Sequence, residues 1–199
     1  MIRTAKLLLA TFVAVFAFGF TGPATTYTAN PAESVIKWKG EKVTGEHFGT
    51  ISLKEGNFTF ADGKLTGGSF VVDMTSIVVE DIEDPTYNAK LAGHLKSADF
   101  FGVEEFPTAT FVITNAISRG TPGDYKVIGD ITIKGITKEI RFLANITEEN
   151  GQARAKADIE LDRSEFNVRY GSGSFFDDLG DKTIYDEFFL TIDIVGAAS

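Results

Sequence analysis

Hydrophobic and polar residues alternate one by one along most of the chain after Ser34. In one run, Phe70, Val72 and Met74 are separated by Val71 and Asp73. A period of two is typical of a β-strand with one dry and one wet face, as in an antiparallel sheet. The same alternation recurs at residues 36–39, 57–60, 108–114, 125–134, 139–146, 154–161 and 184–194.

Short segments of turn-forming residues connect these predicted strands. Asp62-Gly63 and Asn150-Gly151 are pairs that supply the positive backbone angles of tight hairpins. Hairpins in succession indicate an up-and-down meander, which either closes into a barrel or packs as a sandwich. Because closure removes both exposed edges, we predict an all-β fold, a single extended antiparallel barrel of about eight strands.

Two segments break the alternation. Asp84-Pro85 is a favourable helix start, and Tyr87, Leu91 and Leu95 then recur at every fourth position, which predicts a flanking helix near residues 85–97. A second, short helical stretch is predicted near residues 174–181. No internal repeat or linker is evident, so residues 25–199 are interpreted as one domain.

The first residues have the three-part pattern of a secretory signal peptide. Arg3 and Lys6 precede an uncharged apolar run at residues 7–20, and small residues follow up to Ala24. The run is shorter than the ~20 residues that a membrane-spanning helix needs. We therefore interpret residues 1–24 as a cleaved signal peptide, and expect a periplasmic or secreted protein without stable membrane insertion. A short anchor and a buried helix are the alternatives.

Composition excludes several classes of function. Lys and Arg number 19 against 28 Asp and Glu, and a net charge of -9 argues against a nucleic-acid partner. The chain has no Cys, which excludes disulfides, thiol catalysis and Cys-ligated zinc, and its two His cannot form a three-histidine metal site. We expect neither a metal nor another cofactor.

One cluster resembles a catalytic triad, because His94, Ser97 and Asp99 are close in sequence. The chain lacks the Gly-x-Ser-x-Gly motif that presents a nucleophilic serine. The favoured interpretation is a helix C-terminus, with His94 and Lys96 near its negative end. We therefore predict no catalytic residues and no enzymatic activity, with a hydrolase of amphiphiles as a weaker alternative.

Phenylalanine is the unusual component: 18 Phe occur against one Trp and five Tyr. Large rings facing small residues such as Ala144 and Ala155 favour an apolar tunnel inside the barrel, whereas rings that pack together would fill it. The residues predicted to line the tunnel are Trp38, Phe48, Phe58, Phe60, Phe70, Val72, Met74, Leu91, Leu95, Phe101, Phe111, Ile113, Phe142, Phe166, Phe175, Phe176 and Phe188.

Several motifs, in order and spacing, resemble those of the YceI-like family of exported bacterial proteins. They are the residues at 93–101 followed by 106–111, the hairpin at 129–138, and the segment at 162–168. The resemblance implies a lipocalin-like barrel with an apolar tunnel for long isoprenoid lipids or similar amphiphiles. The chain departs from the family pattern at Asp130, where an apolar residue is frequent, but the alternation directs this side chain outward.

The pattern and the resemblance favour an exported envelope protein that carries, stores or sequesters a long apolar lipid, a polyisoprenoid or similar amphiphile. Arg163 and Arg169 are candidate partners for an anionic head group, and structural pairing with loop carboxylates is the alternative for both. The alternative function is a structural or stress-protection module whose barrel is filled by its own side chains. The oligomeric state stays open.

Overall fold

The computed structural model describes residues 23–199, so the predicted signal peptide lies almost entirely outside the described part of the chain. The order of elements is β1 Thr25–Ala29, β2 Val35–Lys42, β3 Gly45–Ala61, β4 Lys64–Val79, α1 Pro85–Lys96, β5 Thr108–Ser118, β6 Asp124–Ile133, β7 Ile136–Glu149, β8 Gln152–Asp162 and β9 Ile184–Ala198. Short 3-10 helices cover Arg163–Phe166 and Gly180–Lys182.

Eight of the strands form a closed antiparallel barrel. The order of neighbours is β3-β2-β9-β8-β7-β6-β5-β4, and β4 pairs again with β3. Alternate residues face the interior; in β8, for example, every second residue from Ala153 to Leu161 is buried. The predicted all-β barrel of about eight strands is therefore confirmed.

The ninth strand, β1, extends the barrel wall rather than widening it. Tyr27 pairs with Phe58 of β3 and with Ala198 of β9, the same two strands that flank β2 further along. A turn joins β1 to β2, and the Ser34 hydroxyl donates to the Asn30 carbonyl there. Thus β1 and β2 together occupy one interrupted strand position.

Helix α1 has the predicted start. The Asp84 carboxylate accepts hydrogen bonds from the backbone N–H groups of Thr86 and Tyr87, and Pro85 occupies the first turn. The Asn88 side chain donates to the carbonyls of Val79 and Ile82, which ties α1 to the end of β4. The predicted flanking helix is confirmed.

The apolar stripe predicted on α1 is only partly used. No α1 residue is buried, and Tyr87 is 64% exposed. Leu91 and Leu95 alone of that stripe face the barrel interior. The helix therefore covers one end of the barrel without being embedded in it. Within residues 23–199, no helix is long and apolar enough to cross a membrane.

The second predicted helical stretch is mostly turns, with one 3-10 helix at Gly180–Lys182. Asp178 and Gly180 adopt positive φ angles, which interrupt helical geometry. A 3-10 helix at Arg163–Phe166 was not predicted. The Asp162 carboxylate caps it by accepting from the Ser164 N–H.

The interior is packed at the end where β1 lies. Tyr27 meets Phe60 edge-on at 5.6 Å between ring centroids, and the Tyr27 hydroxyl donates to the Glu148 carboxylate. The Tyr125 hydroxyl accepts a hydrogen bond from the Leu65 N–H at 3.2 Å. These side chains close that end of the barrel, which we call the closed end.

Gly49 allows two strands and a tryptophan to approach closely. A Cβ at this position would lie 1.9 Å from the Val78 carbonyl oxygen and 3.1 Å from the Trp38 ring. The Trp38 Nε1–H donates to the same carbonyl, at 3.1 Å. Glycine at position 49 therefore permits Trp38 to rest against the β3–β4 ladder.

We expect Gly49→Ala to lower the free energy of unfolding by about 1–3 kcal/mol, because the added methyl group forces the backbone apart. Gly67→Ala is the matched control, since a Cβ there meets nothing within 4 Å. Urea denaturation of both variants measures the difference. An equal effect of the two substitutions would contradict this account of Gly49.

Candidate functional site

A cavity of about 250 Å³ runs through the barrel interior. A single water needs only ~10–15 Å³ of such space, so the barrel is not filled by its own side chains. Its wall consists almost entirely of apolar side chains that point inward from β2 to β9, with Leu91 and Leu95 added by α1. Such a wall offers dispersion and hydrophobic contact but few hydrogen bonds.

Most residues that the sequence predicts along the tunnel lie on the cavity wall. Their alternation with polar residues places them on the inner face of the strands or on the covering segments. They are Trp38, Phe58, Phe70, Val72, Met74, Leu91, Leu95, Phe101, Phe111, Ile113, Phe142 and Phe188. Their contact with a ligand remains a prediction.

Phe48 is a correction, because it is 43% exposed on the outer face of β3. Phe48 pairs with Lys39, and its neighbour His47 lines the cavity instead. The prediction assigned the inner and outer faces of the strand wrongly at this hairpin.

Two more predicted residues, Phe60 and Phe166, are buried but do not reach the cavity. Phe60 packs at the closed end, and Phe166 belongs to the first 3-10 helix.

Phe175 and Phe176 are also corrections. They lie in the loop that precedes β9 and are 38% and 50% exposed, outside the cavity. Because this segment forms turns rather than the predicted helix, it does not direct these rings toward the barrel interior. The Arg169 guanidinium stacks 4.8 Å from the centre of the Phe175 ring.

Much of the wall was missed by the sequence analysis, which gave most weight to phenylalanine. The missed residues are mainly aliphatic and occupy the same alternating positions, so the strand period was the signal that could have found them. Among them are Ile36, Ile51, Leu53, Ile77, Val127, Ile131, Ile133, Ile140, Ile146, Ile159, Leu190, Ile192 and Ile194.

The two ends of the cavity differ. At the closed end, lining residues such as Phe58, Val127 and Ile146 are at most 4% exposed. At the opposite end, lining residues include the partly or fully exposed Lys42 and Glu187. The lining residues therefore become exposed toward this second end, which we call the open end, where the β2–β3 hairpin, α1 and the start of β9 meet.

Arg163 lies at the open end, but its guanidinium is fully engaged. Its N–H groups donate to the carbonyl oxygens of Tyr185, Val168, Tyr170 and Ile184 at 2.9–3.0 Å. Nη2 also lies 3.1 Å from the Asp186 carboxylate. Burial lowers the pKa of Arg163, and the nearby Asp186 carboxylate partly offsets that effect.

The proposed head-group role of Arg163 is therefore replaced by a structural one. It joins the first 3-10 helix, the loop after it and the start of β9. Arg169 is corrected as well: it is exposed outside the cavity and donates to the Asn167 side chain at 2.5 Å. Neither arginine offers an anionic head group an unengaged position at the cavity.

Lys134, which the sequence analysis did not single out, has a related structural role. Its ammonium group donates to the carbonyls of Ala98, Phe100 and Asn167. This links the β6–β7 hairpin to both long loops at the open end. Burial lowers the pKa of Lys134, and the nearby Asp99 partly offsets that effect.

The triad-like residues do not form a catalytic arrangement. The Ser97 hydroxyl donates to the His94 carbonyl at 2.8 Å, so it caps the end of α1. The His94 ring packs edge-on against Phe100 and Tyr170, with centroids 5.1 and 4.4 Å away. These contacts agree with the helix-terminus interpretation.

Another polar pair stands at the open end. The His47 Nδ1 atom lies 2.7 Å from Oδ2 of Asp81, which follows β4. Oδ1 of the same carboxylate accepts from the Phe48 N–H at 3.0 Å. Burial raises the pKa of Asp81, but the hydrogen bonds from His47 and Phe48 outweigh burial, and the net pKa is lowered. Asp81 is therefore ionised at neutral pH.

Comparisons with known proteins agree with this architecture. The family described as YceI-like domain matches residues 27–196. A UPF0312 protein of Vibrio vulnificus strain YJ016 is 28% identical over an alignment of 166 residues. The alignment covers 77% of this chain and 87% of that protein. Protein YceI of Escherichia coli is 27% identical over 132 residues, or 63% of this chain and 65% of that protein.

Two solved structures share the lipocalin-like barrel fold. Burkholderia cenocepacia BcnA superposes with a TM-score of 0.65 at 22% identity, covering 84% of this chain and 98% of that one. A polyisoprenoid binding domain from Saccharophagus degradans gives a TM-score of 0.60 at 12% identity, covering 87% and 98%. At these identities the likeness concerns the fold.

We expect Arg163→Met to lower the free energy of unfolding by about 3–5 kcal/mol, since it leaves the buried Asp186 charge without its partner. Arg154→Met removes an exposed pair with Asp193, whose nearest atoms are 2.6 Å apart, and is the matched control at under about 1 kcal/mol. Adding Asp186→Asn to the first variant should recover part of the loss. Chemical denaturation measures all three, and equal losses at positions 163 and 154 would contradict the assignment.

Proposed function

Because this chain belongs to the YceI-like family, we propose that it binds a long apolar lipid, a polyisoprenoid or similar amphiphile, inside the barrel. The observation that carries this proposal is the apolar cavity, which is closed at one end and reaches the surface at the other. A chain-shaped ligand matches that form: its tail enters toward the closed end, and its head stays at the open end.

The hydrophobic effect supplies the binding free energy. Each methylene group that leaves water contributes about 0.8 kcal/mol, so a tail with ten buried carbons gains roughly 8 kcal/mol before ordering costs. Selectivity then depends on the length and width of the cavity rather than on polar contacts. The polyisoprenoid binding domain of Saccharophagus degradans supports the ligand class, since it shares the fold.

The proposed activity is binding without catalysis. The YceI-like fold is a binding-domain fold, and among residues 23–199 the mainly apolar cavity wall shows no pairing of a nucleophile with a base. The role in the cell follows from the proposed export: with residues 1–24 removed as a signal peptide, the barrel carries, stores or sequesters lipid in the periplasm or outside the cell.

Native mass spectrometry of the protein purified from the organism that makes it tests both ligand and export. We expect a polypeptide mass that begins at Thr25 and an additional mass that organic extraction releases as a lipid. A mass beginning at Met1 would contradict the signal peptide. A protein free of lipid that also fails to take up polyprenols would favour the structural or stress-protection alternative.

A second prediction concerns the length of the ligand. Ala144 lines the cavity at the closed end, whereas Leu143 on the same strand is 54% exposed on the outer face. We expect Ala144→Phe to shorten the cavity, so that the longest polyprenols lose about fourfold in affinity for each methylene excluded while shorter ones retain theirs.

The length series is measured by titrating polyprenols of increasing length against Trp38 fluorescence, because Trp38 lines the cavity and is the single tryptophan of the chain. Leu143→Phe adds the same ring outside the barrel and should leave the length dependence unchanged. If the two variants bound every polyprenol alike, the ligand would not lie in the cavity.

A further inference from the structure

His47 is a titratable side chain on the wall of a mainly apolar cavity, at the end where Lys42 and Glu187 also line it. It lies on the inner face of β3, opposite Gly40 of β2, at the open end. Its side chain is 30% exposed, whereas that of its partner Asp81 is 14% exposed. The His47 ring is therefore accessible from the open end, whereas the Asp81 carboxylate that holds it is largely buried.

Asp81 determines which ring nitrogen of His47 carries the proton. The carboxylate is ionised and can only accept, so the neutral imidazole directs its Nδ1–H to Asp81. Nε2 is then a hydrogen-bond acceptor. Within residues 23–199, no hydrogen-bond partner is found for Nε2. An oriented acceptor thus stands at the open end of the cavity.

The charges around His47 disfavour an anionic head group. Lys39 is paired with Glu41 at 2.5 Å and lies 3.8 Å from Glu46, and Arg163 is engaged as described above. Lys42 and Glu187, which also line this end, contribute one charge of each sign. With the Asp81 carboxylate in contact with the ring, an added negative charge would be repelled rather than neutralised.

We propose that His47 recognises the head group of the bound lipid, and that this head group is an uncharged hydrogen-bond donor such as a hydroxyl. Nε2 accepts the hydrogen bond from the hydroxyl, while Asp81 acts as a positioning residue that holds the ring and its tautomer. This inference rests on the proposed lipid-binding function and adds the chemistry of the head to that of the tail.

The Asp81→Asn substitution changes Nε2 of His47 from a hydrogen-bond acceptor to a donor without removing the imidazole. The Phe48 N–H retains the amide oxygen as its acceptor, so the amide NH₂ faces Nδ1 and donates to it. The ring proton then moves to Nε2, which becomes a donor. A lipid alcohol can accept from this donor, and so can an ether, which has no proton to donate.

The test compares geranylgeraniol with its methyl ether, titrated against Trp38 fluorescence at about pH 8.5, well above the ordinary pKa of an imidazole. The two probes have the same tail; in the ether a methyl group replaces the hydroxyl proton, so the ether has no hydrogen-bond donor. We expect the unaltered protein to bind the alcohol roughly two- to tenfold more tightly than the ether, as one net hydrogen bond implies.

Each variant has its own expected pattern. In His47→Leu the affinity for the alcohol falls to that for the ether. In Asp81→Asn the affinity for the ether rises to that for the alcohol. His94→Leu is the matched control, because His94 is the other histidine of the chain and lies outside the cavity, and it should keep the original preference. Circular dichroism confirms that each variant is folded.

The outcomes separate the two proposals. Equal binding of both probes by the unaltered protein would overturn the role of His47 and leave the lipid-binding barrel intact, and this comparison needs no variant. A preference that survives His47→Leu would have the same consequence. Failure of the unaltered protein to bind either probe would overturn the proposed function itself.

Discussion

Closure of the hydrogen-bonded ladder is the constraint on which the rest of this structure depends. Once β3 pairs with both β2 and β4, the circumference is set by eight strand positions, and no edge remains. The inner side chains must then fill a space of given width. Residues such as Ala144 and Ala155 are too short to reach across, so space remains inside the barrel up to the level at which Tyr27, Phe60 and Tyr125 close it.

The connections between strands make the two ends of the cavity different. Tight hairpins with Asp62-Gly63 and Asn150-Gly151 join strands at the closed end, while the two longest connections, one of which contains α1, lie at the open end. Helix α1 has no buried residue, and its attachment through Asn88 is local. In the proposed function, a lipid could pass α1 without the barrel itself opening.

Arg163 and His47 are two polar side chains at the open end of the cavity, and they differ in how many of their polar atoms the protein itself binds. The guanidinium donates to four backbone carbonyls and forms an ion pair with Asp186, so its contacts organise the loops. The imidazole is held by a single anchor and keeps one acceptor unused. Because an apolar wall provides little orientation of its own, the proposed role of His47 gives a single acceptor the choice of head-group chemistry.

The sequence by itself determined the strands, helix α1 and part of the cavity wall, because period-two alternation and the Asp84-Pro85 cap are local signals. It also suggested the apolar tail site. Only the tertiary structure decided that β1 continues β2, that Phe48 faces outward while His47 faces inward, and that Arg163 is saturated. Each of these depends on which strands and loops become neighbours across long stretches of chain. A pattern of single residues records burial along one strand, but it does not record the partner strand, the register or the space left when eight strands close.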